Sequence, residues 1–396
     1  MRNLQPVIEE RVDALLARLH EDGRSPDPQP IDILYPFSAF TNDVINEYAF
    51  AKCDHLTEHP DYGRDVTDYL LTGTHYGKII QHAEIILNLI TALPERISAA
   101  VVPGWRGFLK MKHSIRQQIA SIQATQDTSK WQLDVSHPTI FHDLLSSKIL
   151  PPQEKILTRL GEEGQTLVQA GTLTASWTLA IVTFHLLDKP HLLRRLRNEL
   201  IAHIPDPQAV VPLDSLKQLP FLRAVMKEGL RHSYGAAGRS ARVCPDETLT
   251  YVDPKTSKSY AIPPGVPVGM TNYKTLTDPG IYPDPFAYRP ERWLEDEDGG
   301  TSPQHLERME RYFTAFSGGA RACLGIWLAQ AELTMCLAKL WRVWGGEEED
   351  EKTGLVGRMR LYETTARDAL MAADYFIPIP WKGTKGIRVI LESLEV

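Results

Sequence analysis

A mainly α-helical fold with a small β component is what this 396-residue chain predicts, and three observations predict it. Apolar residues recur at helical spacing over about two thirds of the sequence. Residues 246–272 turn instead to β-branched and aromatic types set between Asp253-Pro254 and Pro263-Pro264-Gly265 turns. No repeat and no linker-like stretch divides the chain, so a single domain over 1–396 is favoured.

Taken in order, Met1–Glu21 is charged and amphipathic, with Val7, Val12, Leu15, Leu16 and Leu19 at helical spacing. Helices are expected over Thr41–Phe50, Arg106–Thr125, Pro152–Leu187, Pro190–His203 and Leu213–His232, several opening after Pro or Asp-containing turns. Ile79–Leu93 is apolar but interrupted by Gln81, His82, Glu84 and Asn88, which suits an amphipathic helix against a pocket or a membrane surface. Gln165–Leu187 is uncharged and long enough to span a bilayer. Its five Thr, one Ser, two Gln and His185 make a buried core helix the better reading. Strands are expected at Thr248–Tyr251, Ser259–Ile262 and Val266–Thr271, a helix at Cys323–Trp344 and a last hairpin within Tyr375–Val389. The acidic clusters Glu295–Asp298 and Glu347–Glu351 read as solvated loops.

Composition bounds the function. Apolar residues at 43% and charged residues at 23% describe an ordinary globule with ample core, and a net charge of -7 argues against a nucleic-acid partner. Cys53, Cys244, Cys323 and Cys336 lack metal-knuckle or disulfide-framework spacing, which fits a reducing compartment and leaves one of them free to be a ligand. No signal peptide or transmembrane anchor is visible, so a cytoplasmic or membrane-peripheral chain is expected.

Three segments carry chemistry. Residues 316–325 read Phe-Ser-Gly-Gly-Ala-Arg-Ala-Cys-Leu-Gly, a glycine-bearing turn that delivers Cys323 to the start of an apolar helix. A thiolate there faces unpaired N–H groups and the positive end of the helix dipole, which favours its ionised, soft-metal-binding form. Gly318 and Gly319 allow positive φ, Gly325 allows a flat ligand close to the backbone, and Arg321 can pair with an anionic group on that ligand. A buried structural cysteine beside a Gly-rich turn is the competing reading.

The second segment is Ala170-Gly171-Thr172-Leu173-Thr174-Ala175 in the long apolar helix. Glycine inside a helix costs about 1 kcal/mol against alanine, so Gly171 implies something packed close to the backbone. Thr174 by itself reads equally as a hydroxyl bonding back to the carbonyl one turn earlier. The third is Glu228-Gly229-Leu230-Arg231, an i, i+3 pair on one helix face, followed later by Tyr282-Pro-Asp-Pro-Phe-Ala-Tyr-Arg-Pro-Glu-Arg-Trp293.

The pattern Phe-x-x-Gly-x-Arg-x-Cys-x-Gly, here Phe316, Gly319, Arg321, Cys323 and Gly325, resembles the haem-binding loop of the cytochrome P-450 superfamily, filamentous-fungal branch. The resemblance runs from Leu4 to Val389. It implies a haem-thiolate fold, helical over 1–245, with a strand-rich interval at 246–272, a meander and haem loop at 273–325 and a C-terminal helix and hairpin at 326–396. Cys323 would be the axial ligand of Fe-protoporphyrin IX. Gly171 and Thr174 would border the oxygen site, where Thr174 helps pass protons, and Glu228, Arg231 and Arg292 would form a structural triad.

Where relatives carry an acid before the threonine, this chain has Leu173, so protons would have to run through Thr174 and water or through hydroxyls such as Thr172. The activity implied is monooxygenation of an apolar small molecule, a terpenoid or polyketide intermediate, with dioxygen and an NADPH-dependent flavoprotein reductase. Ile79–Leu93 and Phe376–Ile379 would border the substrate. Relatives carry a further N-terminal stretch holding a membrane anchor, early strands and propionate-binding Trp and Arg. Without it, Arg321 with Arg239 or Arg242 would hold the propionates, loosely, and an apolar face would be left exposed. The resemblance also implies the cytoplasmic face of the endoplasmic reticulum. A haem-thiolate isomerase or dehydratase, and a haem-binding but catalytically defective relative, stay open.

Overall fold

The computed structural model describes residues 4–102, 104–126, 139–295, 301–347 and 354–394. Helix α1 (Gln5–Gly23) opens the described chain and buries Ile8, Val12, Leu15 and Leu19, as its spacing predicts. After the short strand β1 (Ile31–Asp32), α2 (Leu34–Phe50) begins seven residues earlier than the sequence suggests. Pro36 lies in its first turn, where the missing N–H would have no helical partner anyway. Then come α3 (Arg64–His82), α4 (Glu84–Ala92), α5 (Glu95–Val101), α6 (Trp105–Gln126) and α7 (Ile140–Ser146), the last capped by Thr139 accepting from the His142 N–H.

The expected helix Pro152–Leu187 divides: a 3-10 turn at Pro152–Lys155 precedes α8 (Leu157–Asp188). α9 (Pro190–His203) stands where predicted. The expected Leu213–His232 helix is broken by Pro220 into α10 (Leu213–Leu216) and α11 (Pro220–Ser233). Pro220 brings no N–H, and the Glu199 carboxylate accepts the next two donors, Phe221 N–H and Leu222 N–H, both at 2.8 Å.

Strand β2 (Arg239–Val243) follows inside the stretch expected to be helical. It pairs antiparallel with β5 (Pro267–Thr271), while β3 (Leu249–Val252) and β4 (Ser259–Ile262) form their own hairpin between them. The chain continues through α12 (Asn272–Leu276), a 3-10 turn at Pro290–Trp293, α13 (Pro303–Arg311) and α14 (Ile326–Val343). β6 (Trp344–Gly345) and β7 (Gly357–Leu361) precede α15 (Ala366–Ala369), β8 (Ala373–Tyr375), β9 (Ile377–Ile379) and β10 (Arg388–Ser393).

The expected C-terminal hairpin is therefore corrected. β8 and β9 make a small hairpin turning at Phe376, and β10 leaves it to sit between β1 and β7 in a four-stranded sheet ordered β1-β10-β7-β6. Of the acidic clusters, Glu295 and Glu347 are exposed and the remainder lies outside the described residues.

The buried apolar side chains form one cluster drawing on α1, α2, α8, α9, α11 and α14. α8 is its axis: every residue from Ala175 to Leu186 is buried, so this apolar helix is core, as its polar content implied. Small residues set the crossings. A Cβ on Gly171 would lie 2.7 Å from Ile45 of α2, and one on Gly229 would lie 2.2 Å from Val182 of α8. Buried hydroxyls are tied across the same crossings, Thr41 Oγ1 donating to the Thr172 carbonyl at 2.9 Å.

Candidate functional site

The loop between α13 and α14 carries the candidate ligand. It closes on itself through Ser317 N–H to Thr314 O (2.8 Å), Ala322 N–H to Gly319 O (3.1 Å) and Cys323 N–H to Phe316 O (2.9 Å). The reversal places Ser317 at φ 60° and Gly319 at φ 68°. Gly319 thus meets its expectation, but Gly318 is extended at φ -161° and the serine takes the left-handed position instead. α14 starts at Ile326, so Cys323 stands in the loop ahead of the helix rather than in its first turn.

Every residue from Ser317 to Gly325 is exposed, Cys323 and Arg321 included. A Cβ on Gly318 or Gly319 would meet nothing within 4 Å, and one on Gly325 would meet only Cys323 Sγ at 3.9 Å. The result is an open shelf around a thiol. Cys53 and Cys336 are the buried cysteines, and burial pushes the Cys53 thiol up to about 12 and raises that of Cys336 as well. The reading of Cys323 as a buried structural cysteine fails on its exposure.

On α8, Ala170 is exposed and Thr174 half-buried, a polar window one turn long at the edge of a closed core. Thr174 Oγ1 donates back to the Ala170 carbonyl at 2.8 Å, so the local hydrogen bond that the sequence allowed is made and the oxygen's lone pairs remain free to accept. Gly171, half-buried like Thr174, packs its backbone close against Ile45 of α2, and Ala170, not singled out from the sequence, is exposed. Thr172 faces the same helix α2, its hydroxyl donating to Val168 O at 2.7 Å and accepting from Asn42 Nδ2 at 3.0 Å. It is fully buried and turned from Thr174. Leu173 is buried too.

A short segment after α11 joins these parts. Thr178 Oγ1 bonds both the Thr174 carbonyl and Ser233 Oγ at 2.9 Å, coupling the Thr174 turn to the end of α11. Tyr234 and Gly235 then turn at φ 56°, and a Cβ on Gly235 would lie 2.6 Å from the Ala315 carbonyl at the foot of the cysteine loop. Ala236 O accepts from Asn272 Nδ2 at 3.1 Å, and Ala237 N–H donates to Phe376 O at 2.8 Å, so the hairpin tip docks on the same segment. Residues 233–237 thus hold the threonine helix, the cysteine loop and the hairpin together. Their signal was the Tyr-Gly pair that ends a helix with a left-handed turn.

Beneath this hub lies the triad, and the three predicted residues meet. Arg231 grips Glu228 with two bonds, Nε to Oε2 at 2.9 Å and Nη2 to Oε1 at 2.8 Å, and Arg292 Nε reaches Oε1 at 3.1 Å. Arg231 Nη1 also donates to the carbonyls of Leu276 and Pro285, and Arg292 Nη1 to that of Pro283. The sequence missed Trp293, whose Nε1–H donates to Glu228 Oε2 at 2.9 Å. Burial alone would raise the Glu228 carboxyl, but the charge and bonds of Arg231 override it and hold it well below the usual range. Behind it, His232 and His185 pack with Tyr288, the His185 ring stacked on Tyr288 at 4.3 Å. Burial lowers both histidines, His185 further with His232 alongside. This is an enclosed brace that ties α11 to the meander.

A sizeable cleft lies elsewhere. A cleft of about 1100 Å³ opens between β1, α3, α8 and β9, with Leu71, Leu173, Trp177, Ile377 and Ile379 on its wall. It touches neither Cys323 nor Thr174, so size alone does not place the chemistry. Of the expected substrate borders, Phe376 is exposed at the hairpin tip, while Ile85, Leu89 and Leu93 face solvent; several other side chains between Ile79 and Leu93 lie outside the described residues.

An exposed cysteine in a glycine-bordered loop, a buried Glu-x-x-Arg cluster and a core helix with a half-buried threonine are the three features that the sequence pattern ties to haem-thiolate proteins. The family model for Cytochrome P450 matches residues 1–347, and the chain belongs to that family. It is 38% identical over 389 residues to cytochrome P450 monooxygenase tpcC of Cochliobolus heterostrophus, covering 98% of this chain and 71% of that protein. It is 36% identical to cytochrome P450 monooxygenase astB of Talaromyces wortmannii, covering 98% and 70%. N-acetyltryptophan 6-hydroxylase ivoC of Emericella nidulans is 32% identical, with 99% and 71% covered. The fold is similar to the crystal structure of the cytochrome P450DA heme domain, with a TM-score of 0.71 at 16% identity over 100% of this chain and 74% of that one.

The chain is accordingly an oxidoreductase of the P450 monooxygenase family, whose fold implies haem. The residues present fit that group: a soft thiol stands exposed in a loop with three glycines, and a Cβ on Gly318 or Gly319 would meet nothing within 4 Å.

Proposed function

We propose that this chain is a haem-thiolate monooxygenase that places one atom of dioxygen into an apolar small molecule of secondary metabolism, a terpenoid or polyketide intermediate. The exposed thiol of Cys323 on its braced, glycine-bordered shelf carries the reading. Cys323 Sγ is the ligand, and Phe316, Gly319 and Gly325 shape the surface that receives the ring. Arg321, with Arg239 and Arg242, is exposed and offers cations to its propionates. When bound, haem supplies the activation of dioxygen, with the thiolate favouring O–O cleavage.

The remaining tasks fall to this chain's own side chains. Thr174 Oγ1 accepts a hydrogen bond from water while its proton rests on the Ala170 carbonyl, and it passes a proton inward by exchanging that bond. Leu173 cannot share in this and Thr172 is engaged with α2, so Thr174 and water carry the relay alone. Glu228, Arg231 and Arg292 hold the loop and do no chemistry. Electrons come from an NADPH-dependent flavoprotein reductase, and the site of work is the cytoplasmic face of the endoplasmic reticulum.

The experiment is the spectrum of the reduced carbonmonoxy protein. Wild type gives the red-shifted Soret band of thiolate ligation and Cys323→Ala loses it; an unchanged spectrum in that variant removes the assignment.

A further inference from the structure

Between α11 and α12 the chain sends out a β-ribbon that stays exposed along its length. β2 and β5 pair along its inner half and β3 and β4 along its outer half, and Gly265 N–H donating to Cys244 O at 2.8 Å joins the two into one arm from Arg239 to Thr271. None of residues 239–270 is buried. A two-stranded ribbon with no further layer is marginal in water at best.

The outer hairpin sorts its side chains by face. The rungs Leu249–Ile262 and Tyr251–Tyr260 point to one side, and Thr250–Ala261 and Val252–Ser259 to the other. Leu249, Tyr251 and Tyr260 are 40, 52 and 44% exposed, and the two tyrosine rings lie 6.3 Å apart in a stacked arrangement. An antiparallel sheet solvated on both sides would carry polar residues on both, whereas this one keeps an apolar strip in the open.

Charge is ordered along the same hairpin. Asp246 and Glu247 stand at its root and Lys255 and Lys258 at its tip, all four exposed. Asp253, the acid of the tip, holds the turn itself, accepting from Lys255 N–H at 2.8 Å and from Thr256 Oγ1 at 2.7 Å. Among the described residues, none of the four exposed charges has an ion-pair partner. Glu247 and Lys255 are each four residues from Tyr251, so the tyrosine rung lies midway between root and tip.

We infer that this hairpin is the contact between two copies of the chain, packed apolar side to apolar side and antiparallel, with a two-fold axis at the Tyr251–Tyr260 rung. That axis sets the acidic root of each copy against the basic tip of the other, which is the self-complementarity that an isologous contact requires. A bilayer or a nucleic acid is matched by one sign of charge rather than by a reversal of sign. Residues 245–264 give 20 per copy, the low end of the roughly 20–30 per side of a standard contact, so an affinity of about micromolar strength is expected. The inference involves neither Cys323 nor haem and stands apart from the proposed activity.

The test is sedimentation velocity of the full chain from about 1 to 100 μM, a range that spans that affinity. Wild type should pass from monomer to dimer and stop there. Lys255→Glu with Lys258→Glu makes both ends of the hairpin acidic, and Asp246→Lys with Glu247→Lys makes both ends basic. Each of these variants alone should dimerise roughly 10- to 100-fold more weakly, as exposed pairs worth a few-fold each turn repulsive. Mixed in equal amounts, the two should form a heterodimer at least as tight as the wild-type dimer, because acid then meets base at both ends. Tyr251→Ser with Tyr260→Ser should weaken dimerisation in a way that neither charge variant rescues. The four charged positions lie outside the strands, so unchanged thermal unfolding by circular dichroism is expected of the charge variants. The inference is overturned if wild type is still monomeric at the top of the concentration range, which would leave the ribbon to a different polypeptide. It is equally overturned if association runs on beyond the dimer, as open-ended strand pairing would, or if mixing the two charge variants restores nothing.

Discussion

Around Glu228 every charge that the sequence sends into the core meets a partner from the same chain, whereas around Cys323 the side chains from Ser317 to Gly325 are exposed and the loop closes on itself through backbone bonds. Arg231 and Arg292 between them reach the carbonyls of Leu276, Pro283 and Pro285 as well as the carboxylate, which ties the meander to α11. Ser317 to Gly325 are exposed throughout. One region is overdetermined by protein atoms; the other is shaped for something that the protein does not itself contain. Rigidity and reactivity are placed apart in this fold, with residues 233–237 as the connection between them.

Cutting each region once should separate them most widely. Arg231→Ala should lower stability by about 3–5 kcal/mol, because it strands a buried carboxylate, whereas Cys323→Ala should change the stability of the haem-free chain by no more than about 0.5 kcal/mol. Urea titrations of both variants compare them directly. Equal losses would mean that the loop is held as tightly as the brace.

A milder cut grades the brace. Trp293→Phe keeps the ring packing on Phe313 and Tyr282 but removes the indole donor to Glu228, for an expected loss of about 1.5–3 kcal/mol as a hydrogen bond to a charged group. Should Trp293→Phe prove neutral, Arg231 and Arg292 suffice and the tryptophan is filler.

Acid should distinguish the regions as well. His185 and His232 are held neutral by burial, so the folded chain binds fewer protons there than the unfolded one, and their contribution is complete above about pH 6.5 and lost as pH falls below it. The Glu228 carboxyl, kept below its ordinary value of 4.5, adds a further loss as pH falls through that value toward its folded pKa. Denaturation midpoints measured from pH 8 downward should therefore decline in two stages. His185→Phe should flatten the upper stage; a profile with no decline near pH 6 in wild type would mean that these rings are not buried as neutral bases.

The smallest effect separates two neighbours on one helix. Gly171→Ala gains about 1 kcal/mol of helix propensity but pushes a methyl into Ile45, so a net loss of about 1–2 kcal/mol with normal coupling of electrons to product is expected. Thr174→Ala should leave stability within about 1 kcal/mol yet divert reducing equivalents to peroxide. Peroxide yield per NADPH consumed reads the split, and identical yields in the two variants would end the distinct role given to Thr174.

The brace was legible in the sequence because its parts advertise themselves locally: Glu228 and Arg231 share a helix face by spacing, and Pro290-Glu291-Arg292 supplies the second guanidinium. Trp293 was not, since nothing in a sequence says that an indole N–H will meet a carboxylate 65 residues away. The cysteine loop was legible in its glycines and in Cys323, but which residue would take the left-handed turn was not, and Ser317 took it where Gly318 was expected.

Helical character, the place of the glycine-bordered cysteine loop and the identity of the charged brace could all be read from the amino-acid order, because each depends on residue patterns that are local to a few turns of chain. Which face each helix turns to its neighbours was settled only by packing. Gly171 and Thr172 are held against Ile45 and Asn42 of α2, Ala170 and Thr174 are left at the window, and β10 joins β1 and β7 rather than the hairpin beside it. Those choices depend on contacts between segments far apart in the chain, and a helix of period 3.6 offers every side of itself until its partners arrive.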